Sequence, residues 1–307
     1  MPTIDVSKYQ YHDGADYCEI TMTNRNGMQV KLLNYGATLE QILLPSADGP
    51  VNVILSLDSP ADYSKERNFL GGTVGRIVGR VRHGHWRYGN YALQLPLNDG
   101  HNHIHGGYGT DTQVFSFETH FDDEHATASF TLFDPDGNNG YPGNLKLVAT
   151  YTLDNNNQLR YDIHAVSDKL TIFNPTNHVY FRLDGPDSDV TNLTLQLNSD
   201  AYLPLDADSL PYTGRKSVAD TAFDFRKGQR LGAVLESGDP EIKAENGLNH
   251  PFLLKGNQPA ATLTSAKYHW SMSMATQSPS IVVYTANHFN HSGIAHNIGK
   301  YDGVTLE

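Results

Sequence analysis

"LKLVATYTLDNNNQLRYDIHAV", residues 145–166, decides the fold class. Apolar and polar side chains alternate on either side of a polar run, Asp154–Asn157. An extended chain shows successive side chains to opposite faces, and asparagine and aspartate tolerate the backbone angles of a tight reversal. The stretch therefore reads as two strands joined by a turn. Outward from it the same pattern recurs. "YCEITMTNRNGMQVKLL" holds two runs around Asn26-Gly27, and "HWRYGNYALQL" repeats the idea around Gly89-Asn90. "ATASFTLF", "VTNLTLQLNSDAYLPL" and "SIVVYTANHF" add further strands. Only "KGQRLGAVLES", residues 227–237, reads as helical. Many short strands at close spacing predict an all-β fold, a large antiparallel β-sandwich. No linker, low-complexity tract or repeat interrupts the chain, so residues 1–307 are expected to form a single domain.

Composition narrows the function classes. Lys plus Arg number 22 and Asp plus Glu 34, a net charge of −12, which disfavours nucleic acid and anionic membranes as partners. Cys18 is the one cysteine, so no intrachain disulfide can form. The opening "MPTIDVSKYQYHDGADY" has neither a basic nor an apolar leader region, and no apolar run approaches a membrane span. A cytoplasmic protein is expected.

Three stretches can carry chemistry. "GGTVGRIVGRVRHGHW", residues 71–86, is rich in glycine and arginine but lacks the spacing of a phosphate loop. It reads either as a turn with solvated arginines or as a place where Arg76 or Arg80 grips sugar hydroxyls with planar donors. In "NDGHNHIHGG", residues 98–107, His101, His103 and His105 would share one face of a strand, as a metal-binding row does. The flanking glycines and the distance to the next acid, Asp111, argue instead for a loop histidine beside a closely approaching ligand. In "NPTNHVYF", residues 174–181, His178 stands at the mouth of an apolar run. Taken alone it is either a satisfied core histidine or a group placed to move a proton.

Together, "GRIVGRV", "LNDGHNHIHGG", "GYPGNLKLVATYTL" and "NPTNHVYF" closely resemble the aldose 1-epimerase (galactose mutarotase) family. The four motifs come in the family's order, with its interval between Arg80 and His105, and the resemblance runs from roughly Val30 to the chain's end. It implies the large β-sandwich of the galactose mutarotases and an isomerase acting on a reducing sugar. It implies that His178 is the general acid at the ring oxygen, that His105 hydrogen-bonds near that oxygen, and that Glu307 takes the proton of the anomeric hydroxyl. Arg80, Asn249, Tyr180 and Gly79 fall at substrate-binding positions. The resemblance implies no cofactor and no metal, a small-molecule sugar as partner, and a monomer or homodimer.

Three positions depart from the family pattern. Gly79 replaces an asparagine, Asn249 in "GLNHPF" replaces a carboxylate that accepts from a sugar hydroxyl, and Val282 replaces a glutamine. Restoring the carboxylate by Asn249→Asp is expected to improve use of a simple aldohexose. Galactose and glucose are the expected substrates. Maltose, a hexose phosphate gripped by Arg76, Arg80, Arg82 and Arg87, and a non-catalytic carbohydrate-binding sandwich are the alternatives. "YDGVTLE" ends at the family's catalytic glutamate, so the last C-terminal strands of the family are expected to be missing. Leu306-Glu307 reads either as the family's own pair or as a cloning junction. On either reading Glu307 is expected to be loosely held.

Overall fold

The computed structural model describes residues 1–307 and consists mainly of strands. It divides into two compact units, one of Met1–Val51 with Ser56–His178, the other of Asn52–Leu55 with Val179–Glu307.

In the first unit, the strands Leu145–Asp154 and Leu159–Ser167 pair antiparallel, as their alternation predicts, with Leu153 opposite Leu159. Asp154 closes the turn by accepting from the backbone N–H groups of Asn156 and Gln158 through Oδ1. Leu145, Leu147, Ala149, Tyr151 and Leu153 all point inward and are buried. With Ser116–Phe121 and His125–Asp134 these strands form a four-stranded sheet. A second sheet of the unit contains Thr3–His12, Ala15–Thr23, Gln29–Leu33 and Thr38–Leu44, and it buries Ile20, Met22, Val30 and Leu32. The Asn26-Gly27 hairpin is present, as a five-residue loop rather than a two-residue turn, closed by Asn24 N–H donating to Met28 O. Asn24 Nδ2 also donates to Asp154 O and Asn157 Oδ1, tying this hairpin to that of the other sheet. The Gly89-Asn90 hairpin joins His85–Tyr88 to Tyr91–Gln94.

In the second unit, a six-stranded sheet runs in the order Tyr180–Phe181, Val304–Leu306, Ser280–Tyr284, Asn249–Leu254, Ser199–Tyr202, Lys216–Ser217. A four-stranded sheet is built on Thr194–Leu197 and Ala261–Thr264. Phe252, Ile281 and Val283 of the six-stranded sheet and Leu195 and Leu263 of the four-stranded one are buried.

Two five-residue α-helices occur, and one of them corrects the sequence reading. Leu231–Leu235 lies within the predicted helical stretch, but Gln229–Arg230 before it is strand. Pro240–Ala244 is a helix the sequence reading does not predict. Asp239 caps it, its carboxylate accepting from the N–H groups of Glu241 and Ile242, and Pro240 occupies the first turn where no N–H is needed. No helix is long and apolar enough to cross a membrane.

Candidate active site

The hairpin that decides the fold also builds the histidine site. Tyr151 and Tyr161 stand opposite each other across its two strands, ring centroids 4.6 Å apart. Tyr151 donates its hydroxyl to Ala37 O and accepts from Asn177 Nδ2. Tyr161 shares a hydrogen bond with Thr73 Oγ1. Thr73–Val74 and Thr176–Asn177 pair as short antiparallel strands, and Asn177 Nδ2 also donates to Gly71 O. His178 follows, its N–H donating to Gly72 O at 2.9 Å and its carbonyl accepting from Gly71 N–H at 2.8 Å. The residue before an apolar strand is thereby pinned on both sides, and it is only 3% exposed.

His105 comes from the other direction. Its ring lies 5.3 Å from that of His178, nearly perpendicular, and Phe69 packs against both, at 4.9 and 5.8 Å. His105 holds a left-handed backbone (φ +47°) beside Gly106. A Cβ at Gly106 would sit 1.9 Å from Gly75 O, so only glycine permits the loop to approach that closely. Gly79 N–H donates to His105 Nδ1 at 3.2 Å, and His105 N–H donates to Gly79 O. A ring nitrogen that accepts carries no proton, so the proton of neutral His105 lies on Nε2. Burial, with His178, Arg67 and Arg80 nearby, holds His105 well below the usual histidine range. It is a neutral N–H donor with a fixed tautomer.

Arg67 clamps the His105 loop. Nε and Nη2 donate to the two carboxylate oxygens of Asp111, each at 2.7 Å. Nη2 also reaches His105 O and Nη1 reaches Gly107 O, while the guanidinium lies over the Phe69 ring at 4.4 Å. Neither Arg67 nor Phe69 is anticipated from sequence. The fork-shaped donor set matches a carboxylate and two carbonyls at once, which an ammonium could not do.

The alternating histidines do not form one face. His101 is exposed. His103 is buried, its Nδ1 donating to Pro96 O and its Nε2 accepting from Tyr141 OH at 2.6 Å. The turn at Asn98–Asn102 and the backbone twist at His105 break the strand that would have aligned them.

The arginines of the glycine-rich stretch are also reassigned. Arg76 is neither solvated nor free for a sugar. It is 2% exposed and donates to Asp134 Oδ2, Pro142 O, Gly143 O and Thr171 Oγ1. The "GRIVGRV" and "GYPG" motifs meet through these bonds, which are structural. Arg80 is partly exposed, with Nε donating to Asp99 Oδ2 at 2.6 Å. Arg82 and Arg87 are exposed. Two of the four cations are thus matched by carboxylates, which weakens the basic cluster a phosphate would require.

The remaining expected site residues lie in the second unit. Tyr180 is 3% exposed and packs edge-on to Tyr284 and Phe289, with burial raising its hydroxyl well above the usual range. It stands opposite Thr305 in the sheet. Glu307 is two residues beyond Thr305, and His178 two residues before Tyr180. The expectation of a loosely held Glu307 is corrected for its main chain, which exchanges both backbone hydrogen bonds with Val282. Asn249 begins the strand Asn249–Leu254, and its Nδ2 donates to Glu245 Oε2 at 2.9 Å.

A family model described as aldose 1-epimerase matches residues 19–307. The chain is 35% identical over 281 residues to the aldose 1-epimerase of Escherichia coli K12, covering 90% of this chain and 80% of that one. It is 30% identical over 280 residues to the galactose mutarotase of Bos taurus, covering 89% and 79%. The crystal structure of galactose 1-epimerase from Lactobacillus acidophilus NCFM superposes with a TM-score of 0.94 at 58% identity, covering all of this chain and 90% of that one.

Proposed function

Because this chain belongs to the aldose 1-epimerase family, we propose that it opens and recloses the ring of galactose or glucose and so interconverts the α and β anomers. It is an isomerase with the galactose mutarotase-like β-sandwich fold. His178 protonates the ring oxygen, and Glu307 removes the proton of the anomeric hydroxyl. The C1–O5 bond breaks as the C1 carbonyl forms. Rotation about C1–C2 presents the other carbonyl face, and the same two groups reverse their roles on closure. Each positioned proton-transfer group typically contributes about 10²–10⁴-fold in rate. His105 donates Nε2–H beside the ring oxygen, where charge changes during opening. Arg80 and Asn249 hold sugar hydroxyls, Tyr180 supports the wall behind them, and Gly79 sets the His105 tautomer.

One observation carries this reading most strongly: two histidines 5.3 Å apart, one of them fixed as a neutral donor, in a chain of this family. Simple carbohydrate binding needs no such pair. Free sugar is favoured over hexose phosphate because Asp134 and Asp99 offset the charges of Arg76 and Arg80, while Arg80, bound to Asp99 through Nε, keeps further N–H groups for a hydroxyl. A monomer or homodimer working in the cytoplasm, without nucleic acid or membrane, completes the proposal. Polarimetry with freshly dissolved α-galactose, α-glucose and maltose tests it. Galactose or glucose should relax far faster than in buffer. Acceleration of maltose alone, or of none, would overturn the choice of substrate or the activity itself.

A further inference from the structure

By sequence Asn249 is a lost acceptor, and its surroundings say otherwise. Its Nδ2 donates to Glu245 Oε2 at 2.9 Å, and the same oxygen accepts from Ser209 Oγ at 2.9 Å. A carboxylate can only accept, so the amide nitrogen must face it. The Asn249 oxygen is then turned the other way.

Glu245 has little freedom to leave. It is 8% exposed and terminates the helix Pro240–Ala244, its N–H donating to Glu241 O. Asn287 Nδ2 donates to both Glu245 O and Leu248 O. Thr285 Oγ1 accepts from Leu248 N–H and donates to Asn287 Oδ1. Gly247 lies against this pair so closely that a Cβ would meet Asn287 Oδ1 at 2.2 Å. The "VYTAN" segment thus locks the connection from Glu245 to Asn249.

We propose that Glu245 is a positioning residue that orients the Asn249 amide, so that Oδ1 remains an acceptor for a sugar hydroxyl and the second Nδ2–H adds a donor. The proposal rests on the reading of Asn249 as a sugar-binding position. It reverses the expectation for Asn249→Asp. A carboxylate at 249 would face the Glu245 carboxylate at hydrogen-bond distance, an arrangement that resists two negative charges.

The test is kcat and KM for galactose between pH 6 and 8.5, with Tm in the absence of sugar, for the unaltered chain, Asn249→Asp and Asn249→Asp/Glu245→Gln. In the single variant kcat/KM should fall about tenfold or more at the alkaline end, chiefly through KM, and recover toward pH 6 as the carboxylate pair takes up a proton. The double variant sets a neutral amide at position 245 against the new carboxylate, so kcat/KM and the pH profile of the unaltered chain should both return. Tm should follow the same order. A single variant as active as the unaltered chain at every pH would overturn the proposal, as would a double variant no better than the single. If the unaltered chain is inactive on sugars, the functional reading fails, while the sugar-free Tm series still decides the Glu245–Asn249 pairing.

Discussion

Arg67 governs where the His105 ring stands, although it is neither acid nor base in the proposed chemistry. Its guanidinium satisfies both oxygens of Asp111 and reaches the His105 and Gly107 carbonyls. Arg67→Lys keeps the charge but offers no planar fork, so some of these acceptors lose their donor. The loop from His105 to Gly107 should loosen, and kcat should fall about 10- to 100-fold while KM changes little, because small misplacement of a reacting group is costly. Steady-state kinetics with galactose check this, and an unchanged kcat would show that the clamp does not set the ring. None of this was legible in the sequence. Arg67 and Asp111 are 44 positions apart, and nothing local announces that they meet. His178 and His105 were legible because they lie in compact motifs. Glu245 and Asn249 show the opposite failure. Their pairing follows from chain geometry that residue type alone does not show, and counting it reverses the effect proposed for Asn249→Asp.

Among the strands, alternation was readable wherever one face is buried, as from Leu145 to Ser167. The helix Pro240–Ala244 was missed because five residues are too few to show a 3.6-residue period, though Asp239-Pro240 is a recognisable start. The decisive hairpin also links stability to the site through Tyr151. Tyr151→Phe removes the acceptor of Asn177 Nδ2 and the donor to Ala37 O inside a buried setting. The cost should be about 1–3 kcal/mol, measured by denaturant unfolding, with a reduced kcat because Asn177 precedes His178. Unfolding at unaltered midpoint would count against this link. The strand Thr38–Leu44 carries a different liability. Glu40 is 2% exposed and its carboxyl is pushed up to about 8 by burial, then by Glu19, against the pull of Lys31. Since the folded value lies above the ordinary 4.5, stability from neutral Glu40 is full below that value and is lost as pH rises through about 8. Calorimetry from pH 5 to 9 should show Tm declining over this window, and Glu40→Gln should flatten the decline and raise Tm at the alkaline end. A variant with the same slope as the unaltered chain would assign the pH dependence elsewhere.

For the molecule as a whole, the β-sandwich fold and the family match support an isomerase acting on a sugar, and the proposal narrows this to a small neutral one. Net charge of −12 offers little to a polyanion. Arg76 and Arg80, two of the four arginines that kept a phosphosugar in view, are ion-paired within the fold, which sequence could not show because nothing local announces that they meet Asp134 and Asp99. The central claim is that His178 and Glu307 act on one sugar in one ring-opening step, as acid and base. Groups that act as a unit lose their effects non-additively. The most direct measurement is the polarimetric relaxation of freshly dissolved α-galactose with the unaltered chain, His178→Asn, Glu307→Gln and the double variant, each shown to be folded. Each single change should slow turnover at least about a hundredfold, and the double should be little slower than the worse single. Near-normal turnover in folded His178→Asn, or losses that simply multiply in the double variant, would contradict the account.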